Sequence, residues 1–297
     1  MSPSTRASAA LRPTIIAVVG GINMDLLMHM HRAPDVGESM DALSLTHLPG
    51  GKGANTAIAA YRTSRPKPSE GNAAGGQSAT SSATHDCQID VKVCMNGAVG
   101  EDHYGTELKA GLTENGIDIA GVSTIPGVST NLCVVLVETD NGDSRNVGYP
   151  AANLHWALPQ SGSLVSLGDG VMPDLIVTSL VVPREQVERV LEIAGEQGVD
   201  TLLNPSSPEY LVSKVYRNLT HLVMNESETA MLFGRPLNEF TGLAAYKEAG
   251  DHFLDLGVRN VVITLGTKGA YFTTKMSDAG LVEAEKDIAV VDTTGAG

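Results

Sequence analysis

The chain has little with which to cross-link itself. Its three cysteines, Cys87, Cys94 and Cys133, are odd in number and lack close metal-type spacing, which argues against a disulfide framework and suits ordinary thiols in a reducing compartment. Long apolar runs are missing too. No segment approaches the roughly 20 residues of a membrane helix, and residues 1–13 lack the apolar centre of a secretory signal. That stretch also lacks acids. Arg6 and Arg12 within it allow a transit peptide, while its Ser, Ala and Arg content favours a disordered tail. Positive charge is short overall: 20 Lys and Arg face 34 Asp and Glu, for a net charge of −14 and a pI near 4.9. Nucleic acid and anionic membranes select clustered Lys and Arg, so neither is an expected partner, and a cytoplasmic location is expected. Large apolar side chains are nearly absent from about 63 to 90. Such a stretch cannot offset its ordering entropy and reads as a disordered surface insertion.

What the chain does have is 42% hydrophobic content over 297 residues, enough for a sizeable core. Short apolar runs at 14–19, 91–96, 174–179, 200–204, 221–224 and 260–265 read as strands. Helical patterns at 101–115, 184–197, 226–233 and 243–256 separate several of them. Strands alternating with helices imply an α/β fold, a mostly parallel central sheet flanked by helices, over 14–297. Two stretches, about 25–48 and 131–149, carry strands with no helix between them. The second has a hairpin signal at Asn141-Gly142. In parallel sheets ligands gather beyond the carboxyl ends of the strands, where Asn23, Asn225, Thr264 and Asp292 fall.

Five motifs occupy those ends. Val18-Val19-Gly20-Gly21-Ile22-Asn23-Met24-Asp25 is a strand ending in glycines, then Asn and Asp two residues apart, hence on one face if extended and able to grip one hydroxylated ligand. Pro49-Gly50-Gly51-Lys52-Gly53-Ala54-Asn55 is a glycine cluster opening an apolar helix. Asn225-x-x-Glu228 and Thr264-x-Gly266-x-x-Gly269 each end a strand. Asp292-Thr293-Thr294-Gly295-Ala296-Gly297 runs from an apolar strand into a small-residue loop whose backbone N–H groups would cradle an anion. One glycine motif is weak; five in order over nearly the whole chain are strong.

Together these motifs resemble the ribokinase-like family of sugar and nucleoside kinases (PfkB carbohydrate kinases). The resemblance implies a three-layer α/β fold with a small β-sheet lid that closes over the sugar and often forms a homodimer contact. It implies ATP-dependent phosphorylation of D-ribose at O5, giving D-ribose 5-phosphate and ADP. Other acceptors in the family, such as fructose or adenosine, form a second reading, and a non-catalytic sugar- or nucleotide-binding protein a third.

By the same resemblance Asn23, Asp25, Gly50, Gly51, Lys52 and Asn55 would hold the sugar. Asp143 is either a lid contact to it or a turn residue, and Lys52 either approaches the phosphates or is a solvated lysine. Asn225, Thr264, Gly266 and Gly269 would meet the nucleotide, with Mg2+ organised near Asn225 and Glu228, largely through water. Gly295, Ala296 and Gly297 would form the anion hole. Asp292 and Thr294 would bind a monovalent cation, K+ in many relatives, although Asp292 also suits a helix cap. The family's catalytic Asp would follow Gly297, so the 297-residue chain by itself is expected to be inactive and unstable. His29 and His31, two residues apart, suggest a metal site only if acidic or Cys partners lie nearby.

Overall fold

A computed structural model describes residues 12–65, 90–140, 143–206 and 211–286. The strands are β1 (Thr14–Val19), β2 (Asn23–Met30), β3 (Ser44–Gly50), β4 (Val91–Gly100), β5 (Asp118–Ile125), β6 (Asn131–Glu138), β7 (Ser144–Tyr149), β8 (Leu175–Thr178), β9 (Asp200–Leu203), β10 (His221–Asn225), β11 (Asn260–Thr264), β12 (Ala270–Thr274) and β13 (Ala279–Val282). The helices are α1 (Lys52–Thr63), α2 (His103–Glu114), α3 (Arg184–Gln197), α4 (Glu226–Phe233) and α5 (Gly242–Asp255).

Nine strands form one sheet in the order β13-β12-β11-β10-β9-β8-β1-β4-β5. Its pairs are parallel apart from β11–β12 and β12–β13. Two apolar clusters cover its faces. Val187, Val190 and Leu191 of α3 pack with Ala249 and Phe253 of α5 on Ile176, Leu203 and Leu222. Ala54 and Ala57 of α1 pack with Leu108 and Leu112 of α2 on Val18, Val93 and Met95. The result is helix, sheet, helix, as the alternation of strand and helix patterns predicts.

Strand order grows outward in both directions from β1 and β8, so the crevice beyond their carboxyl ends is the topological switch point of the sheet. Gly20 and Gly21 leave β1 there. Backbones crowd at this crossing: a Cβ on Gly53 would lie 2.6 Å from the Gly20 carbonyl carbon, and one on Gly51, whose φ is 97°, 2.6 Å from the Gly21 oxygen. Only glycine fits both constraints.

Four strands form a second, smaller sheet in the order β3-β2-β6-β7, with β2 and β6 parallel and the outer pairs antiparallel. It is assembled from the two stretches that carry no intervening helix. The hairpin signal at Asn141-Gly142 lies outside the described residues, but β6 and β7 on either side pair antiparallel from Val137↔Ser144 to Leu132↔Tyr149.

The structure also corrects the element list. β4 runs four residues beyond the apolar run at 91–96, because Gly97 and Gly100 let it pass close under neighbouring backbone. β5, β12 and β13 were not legible, being short or interrupted by polar residues. Most of the low-complexity stretch, 66–89, lies outside the described residues. Its flanks meet, since Arg65 stacks 3.4 Å above the Tyr61 ring and donates to Val91 O at 3.2 Å. No helix among the described residues is long and apolar enough to cross a membrane.

Candidate active site

Asn23 and Asp25 open β2 immediately after the β1 crossing, on the same face of the small sheet. Asp25 is half-buried and its carboxylate makes no hydrogen bond among the described residues. Burial raises its pKa above the ordinary carboxylate value. The carboxylate lies against Gly50, where any Cβ would overlap Oδ2. Gly50 pairs directly with Asn23, and Cys133 of β6 with Asp25. An unpaired acceptor in a crevice too narrow for a side chain can receive a ligand hydroxyl.

Gly51 starts α1 without a side-chain cap and with no acid in the first turn. Ala54 N donates to Gly21 O at 3.2 Å, and the rest of this first turn has no side-chain partner, so it forms a partly unsatisfied positive end. Lys52 stretches from this end to donate to Ser206 O at 2.7 Å, in the loop after β9. The residue is solvent-exposed overall, yet the atoms around its ammonium push the pKa down, with Glu228 pulling it back up. Lys52 thus feels the charge of Glu228 at the start of α4. Asn55, one turn on, is exposed and makes no side-chain hydrogen bond among the described residues.

Asn225 and Glu228 form a reciprocal capping box on α4: Glu228 N donates to Asn225 Oδ1 at 2.8 Å and Asn225 N to Glu228 Oε2 at 3.0 Å. That leaves Glu228 Oε1 without a hydrogen bond among the described residues. Thr264 ends β11 beside Asn225, its register partner, and Gly266 and Gly269 follow with φ of 57° and 96°. Gly269 is also required for packing, because a Cβ would overlap Val282 O on β13.

Sequence reasoning passed over several neighbours. Lys268, inside the glycine loop, donates to Glu226 Oε1 at 3.2 Å, and Tyr246 OH donates to the same oxygen at 2.5 Å. Beside them lies a cavity of about 270 Å3 lined by Gly242, Leu243, Tyr246, Leu265, Lys268 and Leu281. Asn153, in the short turn Ala151–His155, donates to Asn23 Oδ1 at 3.1 Å. The string Pro150-Ala151-Ala152-Asn153 carried a signal for it, but nothing local says that it reaches β2.

Some sequence candidates stay apart. Asp143 sits at the far tip of the small sheet, where its carbonyl receives Glu138 N at 2.8 Å. His29 meets Ser44 Oγ and His31 meets Asp140 Oδ1, each at 3.2 Å, and no cluster of three His, Cys, Asp or Glu able to hold a metal occurs among the described residues. Cys94 and Cys133 are free, with burial raising both pKa values, Cys94 to about 11, so both are protonated and unreactive at neutral pH. Asp292, Thr294, Gly295, Ala296 and Gly297 lie outside the described residues.

The sequence profile of the pfkB family of carbohydrate kinases matches residues 14–297. The chain is 32% identical to ribokinase of Schizosaccharomyces pombe over 288 residues, covering 95% of this chain and 81% of that protein. It is 26% identical to deoxyribokinase of Salmonella typhi, with the same coverage of each. Among solved structures it is similar to Arabidopsis thaliana ribokinase complexed with ribose and ATP, with a TM-score of 0.77 at 21% identity, covering 96% of this chain and 82% of that one.

Proposed function

The chain belongs to the pfkB family of carbohydrate kinases, and we propose that within it the protein transfers the γ-phosphoryl group of ATP to O5 of D-ribose. The observation that carries this reading is the unpartnered Asp25 carboxylate against Gly50, with Lys52 leading from the same loop toward Ser206 and Glu228. An acceptor sugar would be gripped by Asn23 and Asp25, with Gly50 and Gly51 admitting it closely and Asn55 adding an amide. Asp143 would contribute only if the small sheet folds over as a lid.

Phosphoryl transfer requires in-line positioning and neutralisation of charge more than covalent help. Lys52 and the open N-terminus of α1 would draw the phosphates toward the sugar. Thr264, Gly266 and Gly269 would receive the nucleotide. Gly295, Ala296 and Gly297 would offer N–H groups to the moving phosphoryl, and the base, by resemblance, follows Gly297. The unengaged Glu228 Oε1 beside the Asn225 amide is a hard oxygen donor that fits Mg2+ held through water. Magnesium, when bound, supplies neutralisation of ATP phosphate charge. Asp292 and Thr294 would hold the monovalent cation. The apolar, half-exposed face of the small sheet would form a homodimer contact.

A coupled ADP-release assay with ATP, magnesium and potassium tests this reading. D-ribose, 2-deoxy-D-ribose, D-fructose and adenosine would be compared on this chain and on one extended by Asp and the segment its relatives carry. The extended chain is expected to turn over D-ribose with the highest kcat/KM. Best turnover of another acceptor, or tight sugar binding with no ADP released, would replace it with the corresponding alternative.

A further inference from the structure

The asparagines at the root of the small sheet form a relay whose direction is set by backbone groups. Asn131, fully buried, holds one amide branch between two carbonyls, Ile22 O at 2.6 Å and Ala98 O at 3.2 Å. Carbonyls only accept, so this branch is Nδ2 and the other is oxygen. That oxygen receives Asn153 N at 2.6 Å. Asn153, 3% exposed, places one branch of its own amide on the Ile22 N–H at 3.3 Å, which makes that branch its oxygen. Its remaining branch is therefore Nδ2, and this donates to Asn23, which must answer with Oδ1. The Ile22 N–H alone orients the Asn153 amide, and through it Asn23, while Asn131 holds the Asn153 backbone in place. Because a backbone N–H can only donate, the orientation does not depend on telling N from O in an amide.

We propose that Asn153, held by Asn131, is a positioning residue that locks the Asn23 amide with Nδ2 toward the ligand. The site then shows a donor from Asn23 beside an acceptor from Asp25, two residues along one strand face. That pair matches a vicinal diol: one hydroxyl oxygen accepts from Asn23 while its neighbour donates to Asp25. With Asn23 reversed, both groups would present oxygen and the diol would lose the donor that Asn23 supplies. This inference rests on the sugar-kinase reading for its ligand, but not for the amide orientation.

Two measurements test it. Neutron diffraction or side-chain amide NMR of the sugar-free protein is expected to show Asn23 Nδ2 directed away from Asn153, and the opposite orientation overturns the proposal whatever the substrate. Calorimetric titration with D-ribose and 2-deoxy-D-ribose then compares the wild type with Asn153→Asp and Asn153→Ala. Asn153→Asp accepts where Asn153 donates and turns Asn23 around. Its preference for the diol sugar is expected to fall from about tenfold or more toward one, with ATP affinity unchanged. Asn153→Ala frees Asn23 to rotate and is expected to weaken D-ribose selectively. A diol preference that survives both substitutions overturns the proposal. If the wild type binds neither sugar, the sugar reading fails, and the observed orientation of Asn23 still decides the relay.

Discussion

Burial holds Asp25 in a state that costs stability until a hydroxyl reaches it. Its folded pKa is raised, so between the ordinary carboxylate value and the raised one the folded chain binds more protons than the unfolded chain. Stability from this group therefore declines as pH rises through that window. Asp25→Asn is expected to raise Tm at neutral pH while weakening sugar binding roughly 10- to 100-fold, the scale of a hydrogen bond to a charged group. Differential scanning fluorimetry with sugar titration checks both; a lower Tm would contradict the burial argument.

Glu228 separates two roles within one residue. A glutamine at this position still completes the capping box, since amide and carboxylate both accept the Asn225 N–H. Glu228→Gln is thus expected to melt like the wild type while needing more magnesium for half-maximal activity. Glu228→Ala keeps the Asn225 cap but loses the reciprocal acceptor for the Asn225 N–H, and is expected to destabilise by about 1 kcal/mol. Equal magnesium dependence in wild type and Glu228→Gln would remove the residue from the metal site.

At the scale of elements, the start of α1 is set by what lies beneath it. Gly50 touches Asp25, whereas Gly53 touches the Gly20 backbone. The two glycines look alike in sequence, yet they answer to different neighbours. Gly53→Ala pushes backbone against backbone and is expected to cost about 2–3 kcal/mol in denaturant unfolding. Gly50→Ala pushes against the Asp25 side chain rather than against backbone, so sugar affinity is expected to fall with a smaller loss of stability. The reverse ranking would mean that α1 shifts as a body.

The glycines after β11 divide in the same way. Among the described residues nothing lies within 4 Å of the Gly266 Cβ position, while that of Gly269 is occupied by β13. Half of that motif is therefore accounted for by packing alone.

At the scale of the whole molecule, the small sheet presents two unlike faces. Asn23 and Asp25 lie on one. Pairing register puts Leu45, Met28 and Leu136 in one row of the other and Leu26, Val134 and Val147 in the next, with Leu45 and Val147 more than half exposed. The middle of this face is half-buried, with Leu26 packed on the core, and its exposed apolar edge at Leu45 and Val147 is the part proposed to meet a second copy of the chain. Val147→Asp is expected to convert the dimer proposed above to monomer in sedimentation velocity without changing the large sheet. An unaltered sedimentation coefficient would send the contact elsewhere.

The three-layer α/β fold was legible because its signal is local. Buried parallel strands are apolar runs, their helices carry a 3.6-residue period, and glycines mark where backbones must approach. The same locality placed Asn23, Asn225 and Thr264 beyond strand ends, together with Asp292, which lies outside the described residues. Tertiary structure decided what those residues touch. Asn153 reaches Asn23 across 130 residues and Lys52 reaches Ser206 across 154. Such contacts exist only once β1 and β8 lie side by side. Burial of Asp25 is likewise a property of the assembled crevice. Sequence determines which groups are available at the ends of strands; the fold decides which are desolvated, which are satisfied and which are left open to a ligand, because those depend on distances that no spacing along the chain encodes.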